Sequence, residues 1–206
     1  MAGCAHTGSF QVNEHVCYTI LNLTCLLQGY YYNGQMQSVL LNQGADTSTQ
    51  LTDTIVVELR EPLAPYALIQ SSTHLLQRDG SVQCVWPPFV DTAYVVIRHR
   101  NHVETWSAYP QILDASPLNY NFTVQANKAF GDNQASLSNG SFAFYTGDIN
   151  QDGVVDGLDY NDWETDNNIF ANGYLSTDLS GDGIVDGLDF LLWETNNNAF
   201  IGLVTP

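Results

Sequence analysis

The C-terminal part of the chain contains one twelve-residue pattern twice. The two copies begin thirty residues apart, at Asp148 and at Asp178. Each copy places oxygen-bearing side chains at positions 1, 3, 5, 9 and 12, glycine at position 6 and valine at position 8. Glycine at position 6 permits the sharp backbone turn of a cation-binding loop. Two full matches with similar flanking sequence predict two loops of one conformation, whereas a single match could arise by chance in an acidic turn.

Oxygen ligands at these positions favour calcium, a hard cation that takes six to eight oxygens. The carbonyl at position 7 is the expected backbone ligand, so we predict two Ca²⁺ ions. The predicted ligands of the first site are Asp148, Asn150, Asp152, the carbonyl of Val154, Asp156 and Asp159, and those of the second site are Asp178, Ser180, Asp182, the carbonyl of Ile184, Asp186 and Asp189. We expect weaker binding in the second loop, because a serine hydroxyl is a weaker ligand than an amide or carboxylate oxygen. Without the ions, the crowded carboxylates should repel one another and leave the segment partly unfolded.

A short segment typical of a helix follows each loop and ends in a run of asparagines, and no such segment precedes the first loop. This order over residues 147–206 resembles the type I dockerin module. The resemblance implies two pseudo-symmetric calcium sites and a partner-binding face on the helices. Cellulosomal dockerins often carry Ser-Thr at loop positions 10 and 11, where they help to select a cohesin. This chain departs from that pattern with Gly157-Leu158 and Gly187-Leu188.

The N-terminal part reads as many short strands separated by turn signals such as Asn33-Gly34, Asp79-Gly80 and Asn139-Gly140. The predicted strands are Tyr18–Tyr32, Gln37–Leu41, Thr54–Leu59, Ala67–Gln70, Ser81–Trp86, Ala93–His99, Glu104–Ser107, Leu118–Val124 and Ser141–Tyr145. This spacing predicts a mainly β chain, with an antiparallel β-sandwich followed by a small α module that carries two EF-hand-type calcium loops. We expect an N-terminal tail at 1–16, a sandwich at 17–146 and the calcium module at 147–206.

Several phrases of the predicted sandwich resemble a β-rich region that precedes dockerin-like repeats in secreted proteins of Bacteroidetes. The phrases are Leu23–Tyr32, Thr54–Leu59, Tyr94–His102, Asn119–Phe122 and Ala129–Asp132. The resemblance implies an extracellular or cell-surface location and no known reaction. No signal peptide is recognisable at the N-terminus, so we expect secretion to depend on a missing upstream segment.

The net charge of −17, with only five lysines and arginines, argues against nucleic acid as a partner, because phosphates demand basic residues. No apolar stretch is long enough to predict a membrane span. Four cysteines, Cys4, Cys17, Cys25 and Cys84, allow three disulfide connectivities. Pairs Cys4–Cys17 and Cys25–Cys84 would pin the tail and link two strands, and buried free thiols are the alternative.

Two further clusters are candidate sites. The basic run Arg98–His102 predicts an anion or sugar site, a strand end whose arginines pair with Glu58 or Glu104, or a docking contact of Arg98 and Arg100 with the calcium module. The aromatic residues form the second cluster, which predicts either a sugar-stacking platform or core packing. Its members are Tyr30, Tyr31, Tyr32, Trp86, Trp106 and Tyr109.

No catalytic arrangement stands out, because Glu58, Glu61 and Glu104 are scattered and form no obvious carboxylate pair. We therefore predict a secreted, non-catalytic interaction or assembly protein, such as an adhesin or a filament subunit. Its calcium module would dock to a β-domain of the same chain or of a protein partner, and the tail could add a strand to a neighbour. The alternatives are the C-terminal part of a secreted polysaccharide-degrading enzyme, and a carbohydrate-binding module whose partners are glycans.

Overall fold

The computed structural model describes residues 18–114 and 116–206, and the chain is mainly β. The strands are β1 (Thr19–Thr24), β2 (Tyr31–Tyr32), β3 (Gln35–Met36), β4 (Leu51–Arg60), β5 (Leu68–Gln77), β6 (Ser81–Trp86), β7 (Asp91–His99), β8 (His102–Trp106), β9 (Gln111–Leu113), β10 (Leu118–Asn121), β11 (Ala135–Ser136) and β12 (Phe142–Ala143). The α-helices are α1 (Val39–Asn42), α2 (Gly157–Asn168) and α3 (Gly187–Asn198), and two short 3₁₀ helices span Ala126–Lys128 and Phe130–Asp132.

Two sheets face each other across one core. A three-stranded sheet has the order β10-β1-β6, and a larger sheet has the order β5-β4-β7-β8 with β9 paired to β7. Strand β1 alternates buried and half-buried residues, so that Leu21 and Leu23 point to one side. They join Ile55 and Val57 of β4 and Ile97 of β7 in one hydrophobic cluster. The predicted mainly β fold is confirmed, and the inward side chains of both sheets build its core.

Two details of the predicted sandwich are wrong, and one turn signal connects strands in a way that the sequence does not indicate. The sheet is not purely antiparallel, because β10 pairs with β1 in parallel. The segment Gln37–Leu41 does not form a strand; its second half enters helix α1, whose Val39 and Leu40 are buried. The Asp79-Gly80 turn exists, with Gly80 at φ 85° and its N–H bonded to the Gln77 carbonyl, but it joins strands of different sheets. Local pattern identified the turn, while tertiary packing decided which strands pair.

The segment after β12 leads into a second hydrophobic cluster. Trp163 of α2 and Trp193 of α3 pack there with Leu179 and Val185. Val103 of β8 belongs to the same cluster, so the sandwich contributes directly to the core of the helical part. The pseudo-repeat therefore packs against the end of the large sheet.

The structure also bears on the cysteine and membrane predictions. Cys25 and Cys84 are buried free thiols. The register opposes Cys84 to Leu21, four residues from Cys25, or about 13 Å along the strand. This separation exceeds disulfide reach, so the Cys25–Cys84 pairing is wrong. Cys4, Cys17 and the tail at 1–16 lie outside the described residues. Among the described residues, no helix has the length and apolar character needed to cross a membrane.

Candidate metal centre

The two predicted calcium loops adopt one backbone conformation. The residues at position 9, Asp156 and Asp186, have φ −145° in both copies and ψ of −164° and −163°. The glycines at position 6, Gly153 and Gly183, have φ of 91° and 96°, a region that glycine enters at no steric cost. The repeated sequence therefore produces a repeated structure, and the backbone conformation explains why both copies have glycine at position 6.

The acidic residues at positions 9 and 12 start the helices. In the first copy the Asp156 side chain accepts a hydrogen bond from Leu158 N at 2.7 Å, and Asp159 Oδ2 accepts one from Asp156 N at 2.9 Å. The second copy repeats both bonds at 2.7 and 2.8 Å, through Asp186 and Asp189. These capping boxes satisfy backbone donors that a helix start leaves free. The same carboxylates that are predicted ligands thus also fix loop to helix.

The position-12 carboxylates lie inside the protein and close each loop. Asp159 and Asp189 are fully buried. Asp159 Oδ1 accepts hydrogen bonds from Ile149 N and Asn150 N at 2.7 and 3.1 Å, and Asp189 Oδ1 accepts one from Ser180 N at 2.8 Å. Burial, with the nearby charge of Asp178, raises the pKa of Asp189 to about 7. A buried carboxylate of this kind is stabilised by a cation.

The position-1 carboxylate of the first loop is the strongest sign of a cation site. Asp148 is 2% exposed, and its Oδ1 has no hydrogen-bond partner among the described residues. Burial and repulsion from Asp159 and Asp152 raise the pKa of Asp148 to about 7. A buried, unpartnered carboxylate oxygen is destabilising unless something positive meets it. The donor chemistry of this loop and this orphaned atom both fit a bound calcium ion.

The remaining predicted ligands are occupied within the loops. Asn150 Nδ2 donates to Asp152 Oδ2 at 2.9 Å, and Asp152 Oδ1 accepts from Val154 N at 3.0 Å. In the second loop Asp182 Oδ1 accepts from Ile184 N at 2.9 Å. No three His, Cys, Asp or Glu side chains of residues 18–114 and 116–206 converge as a ready metal cluster. The predicted ligand oxygens of each loop lie along one turn of the backbone. Binding of an ion would require their side chains to rotate towards the centre of the loop.

The two tryptophans connect the copies crosswise. Trp163 Nε1 donates to the Asp186 carbonyl at 3.1 Å, and Trp193 Nε1 donates to the Asp156 carbonyl at 2.9 Å. Each helix thereby holds the loop of the other copy at position 9. The sequence shows the repeated tryptophans, but it does not indicate this exchange, because the bond depends on the pairing of the two halves.

The second loop is packed directly on the sandwich. A Cβ added at Gly181 would lie 2.5 Å from Val39 Cγ2 and 2.8 Å from Tyr30 Cδ1, and one at Gly183 would lie 2.5 Å from the Asn42 carbonyl oxygen. Asn42 Nδ2 also donates to the Gly181 carbonyl at 2.9 Å. These approaches leave no space for a side chain, so the loop backbone itself is the contact surface.

The turn between β7 and β8 holds the segment that leads into the second loop. Asn101 Nδ2 donates to the carbonyl oxygens of Ser176 and Asp178 at 3.0 and 3.1 Å. Arg100 donates to the carbonyl of Leu175, and its guanidinium lies 4.3 Å from the ring centroid of Tyr174. This turn is part of the predicted basic run, and the structure places Arg100 at the docking contact that the sequence suggested.

Asp53 on β4 balances the charge of this contact. Its Oδ2 lies 3.0 Å from Arg100 Nε and 3.2 Å from His99 Nε2, and its Oδ1 accepts from Tyr174 OH at 2.8 Å. Burial alone would raise the pKa of Asp53, but the hydrogen bond and charge of His99 and the charge of Arg100 outweigh it and hold the pKa well below its usual range. The junction is therefore a buried ion pair with a ring of hydrogen bonds.

The structure does not bring the other candidate residues together as functional sites. Arg98 does not dock to the calcium module; it lies 3.0 Å from Glu104 and 4.0 Å from Glu58, as an ordinary strand pairing. Trp86 and Trp106 are each 4% exposed and belong to the core, so the predicted sugar platform does not form. Of the predicted platform, Tyr32 and Tyr109 are largely exposed, at 67% and 75%, and Tyr30 is fully buried beneath the second loop.

Sequence reasoning missed the sandwich residues that meet the module, above all Gln37, Asn42 and Gln43. Gln37 Nε2 donates to the Ser180 carbonyl at 3.0 Å, and Gln43 Nε2 donates to Asp178 Oδ2 at 2.6 Å. A cluster of amide side chains around a short apolar segment gives no local signal. Only the hydrogen bonds that these amides make to the second loop in the folded chain identify the interface.

Comparisons with known proteins find solved structures of similar fold. Neither a protein-family model nor a curated protein matches the sequence. A chain of a type II cohesin–X–dockerin complex from Acetivibrio cellulolyticus, a C-terminal interface mutant, matches with a TM-score of 0.50 and 12% identity, over 90% of this chain and 97% of that one. An N-terminal interface mutant of the same complex matches with a TM-score of 0.50 and 12% identity, over 87% and 95%. At this identity the likeness concerns the fold.

Proposed function

We propose that this chain is a non-catalytic, extracellular interaction protein, in which a dockerin-like module binds two calcium ions and is held by its own β-sandwich. The observation that carries the proposal is the docking of the second loop. The sandwich covers the loop backbone at Gly181 and Gly183, while the helices keep an exposed face. A module anchored on one side and free on the other is suited to present a fixed surface to a partner.

The extent of the structural likeness supports the dockerin-like part of this proposal. The first comparison leaves about a tenth of this chain unmatched, roughly 20 of 206 residues, whereas the segment 147–206 has 60. Most of the two-loop segment must therefore be matched together with most of the sandwich. The X–dockerin component of that complex accounts for such a match better than a single sandwich does.

The module exposes apolar residues from both copies. Leu158 and Leu188, at position 11 of the two loops, are 57% and 55% exposed, and Leu191 on α3 is 55% exposed. The dockerin resemblance assigns partner selection to loop positions 10 and 11. We propose that these exposed leucines bind a β-domain, in a second copy of this chain or in another protein.

Calcium would supply positive charge among the loop carboxylates. Asp148, Asp152 and Asp159 of the first loop and the equivalent residues of the second would hold it. The chain's own residues then keep the loops in register, through the capping boxes at Asp156 and Asp186. The charge balance of the whole chain, −17 with five basic residues, agrees with a protein that works in calcium-containing surroundings.

Removal of calcium tests the proposal. We expect EDTA, or the double variant Asp152→Ala with Asp182→Ala, to lower the melting temperature of the segment after residue 147. The matched control replaces two exposed aspartates outside the loops, Asp91→Ala with Asp162→Ala, and should respond to calcium as the wild type does. Circular dichroism and limited proteolysis report the change, and equal stability in calcium and EDTA would contradict the proposal.

Light scattering on a sizing column identifies the kind of partner. Species larger than one chain in millimolar calcium, dissolved by EDTA and by Leu158→Asp with Leu188→Asp, would identify a second copy as the partner. The control is Leu75→Asp, an exposed leucine on β5 of the sandwich. A single-chain mass in calcium would exclude self-assembly and direct the search to a different protein.

A further inference from the structure

We propose that the sandwich is part of the second calcium site, because Gln43 positions Asp178, the position-1 ligand of that site. This inference rests on the proposed calcium binding and goes beyond it, since it makes the two sites unequal. A sandwich side chain would hold the position-1 carboxylate of the second site, and none would hold that of the first. Gln43 acts here as a positioning residue and is not itself a ligand.

The contact between the two side chains is short and buried. Gln43 Nε2 donates to Asp178 Oδ2 at 2.6 Å, Gln43 is 6% exposed and Asp178 is fully buried. The same carboxylate accepts hydrogen bonds from Gly181 N on Oδ1 and from Gly183 N on Oδ2, both at 2.7 Å. Ser180 Oγ also donates to Oδ1, at 3.2 Å, so three donors come from the loop and one comes from the sandwich. Together they fix the plane in which the carboxylate can face an ion.

The orientation of the Gln43 amide follows from its other neighbour. Gln43 Oε1 accepts a hydrogen bond from Arg100 Nη2 at 2.8 Å. A guanidinium has donors and no acceptor, so the amide oxygen must face Arg100 and the NH₂ group must face Asp178. Arg100 is itself held by Asp53 through Nε at 3.0 Å. A continuous polar chain therefore runs from β4 of the sandwich to the predicted ligand.

The first loop differs in the partners of its position-1 carboxylate. Asp148 Oδ1 is buried and has no hydrogen-bond partner among the described residues. Gln151 Nε2 donates to the carbonyl oxygens of Asp148 and His102, at 2.6 and 3.4 Å, and not to the Asp148 carboxylate. At Oδ1 the difference comes from the loops, because Asp178 Oδ1 accepts from the loop donors Gly181 N and Ser180 Oγ, and the first loop has Gln151 and Asn150 at those positions. The sandwich contributes the Gln43 contact at Asp178 Oδ2, and among the described residues no sandwich side chain donates to the Asp148 carboxylate.

Hydrogen bonds that orient a ligand from outside the metal shell affect binding strongly, and their loss commonly lowers metal affinity 10–100-fold. Replacement of Gln43 should therefore weaken the second site about 10-fold or more and leave the first site unchanged. Coupling between binding events is reciprocal. An ion in the second loop should for that reason also stabilise the contact between loop and sandwich.

Calorimetric titration of calcium into the full chain tests the assignment. Asp152→Ala disables the first site and reports the second alone, and Asp182→Ala does the reverse. Each background is combined with Gln43→Met. The matched control is Gln83→Met, which alters an exposed glutamine on β6 that bonds Asn22 on the outer sheet face.

We expect Gln43→Met to weaken calcium binding at least about 10-fold in the Asp152→Ala background, with no change in the Asp182→Ala background and none from Gln83→Met. Near-ultraviolet circular dichroism in saturating calcium checks that each variant is folded. Gln43→Glu serves as a second variant, because it keeps the Arg100 contact and the side-chain shape. It places a carboxylate oxygen against Asp178, so it should weaken the same site further.

Equal losses at both sites, or no loss at either, would overturn the assignment while leaving calcium binding intact. Absence of any calcium binding by the wild-type chain would instead overturn the proposed function. The two failures are distinguishable, because the first appears only when variants are compared and the second appears in the unaltered protein.

Discussion

Replacement of Arg100 by methionine should weaken the contact between the two-loop module, residues 147–206, and the sandwich, and lower the stability of the chain. Arg100 has a 16% exposed side chain and meets Asp53, whose side chain is fully buried. It also donates to Tyr30 OH at 2.9 Å, to Gln43 Oε1 at 2.8 Å and to the Leu175 carbonyl. Methionine preserves the apolar stem and removes the charge with every one of these donors.

The size of the stability loss depends on Asp53, the carboxylate that Arg100→Met leaves buried without its guanidinium. Breaking a buried ion pair by removal of one member costs about 3–5 kcal/mol, because the other charge remains buried. Asp53 keeps hydrogen bonds from Tyr174 OH at 2.8 Å and Thr54 N at 2.7 Å, and it keeps its contact with His99. We therefore expect a loss at the lower end, about 3 kcal/mol in the free energy of unfolding.

Urea unfolding followed by tryptophan fluorescence measures this loss, and Arg98→Met is the control. Arg98 lies two residues away, near the end of β7, is 39% exposed and faces Glu104 at 3.0 Å. An exposed pair of this kind contributes about 0–1 kcal/mol. If Arg100→Met loses no more stability than Arg98→Met, the buried junction does not hold the module as described.

The same pair of proteins gives a pH test. The pKa of Asp53 is held below its usual range by His99 and Arg100 against the opposing effect of burial. A lowered folded-state pKa contributes stability above the unfolded value of about 4, and this contribution is lost as the pH falls below it. The difference in unfolding free energy between wild type and Arg100→Met should therefore shrink between about pH 5 and pH 2. A difference that stays constant would show that Asp53 is not stabilised by Arg100.

Three further predictions concern packing and burial. Gly181→Ala should lower the melting temperature, because the new Cβ would overlap Val39 and the φ of Gly181 is 74°. Gly187→Ala is the control and should not lower it, because a Cβ there meets nothing within 4 Å. Equal melting temperatures of the two variants would contradict the close packing at Gly181. Trp193→Phe should lose about 1 kcal/mol with its hydrogen bond to Asp156, and an unchanged urea midpoint would refute that contribution. Burial raises the pKa of Cys84 to about 12, so peptide mapping after iodoacetamide should find Cys84 labelled only in unfolded protein; labelling in the native state would contradict its burial.

The loops and helices were predictable from sequence because their determinants are local. Gly153 and Gly183 set the turns, and Asp156 and Asp186 cap the helices within three residues of the atoms they bind. The mainly β character followed from alternating apolar residues in the same way. Such signals need no knowledge of distant parts of the chain.

The interface was not predictable, because its residues acquire their roles only through distant contacts. Gln43 bonds a residue 135 positions away, and Asn101 bonds one 77 positions away. The segment at Val39–Asn42 has an apolar pattern that fits a short strand, and its packing beneath the second loop selects a helix. Trp86 and Trp106 looked like surface candidates, since composition does not reveal which side of a strand faces the core.

Native mass spectrometry of the full chain, desalted in the presence of calcium, is the most direct test of the central claim. The account predicts a mass increase of two calcium ions in the wild type and none in the Asp152→Ala, Asp182→Ala double variant. A wild-type chain that carries no calcium, or a double variant that retains both ions, would contradict it.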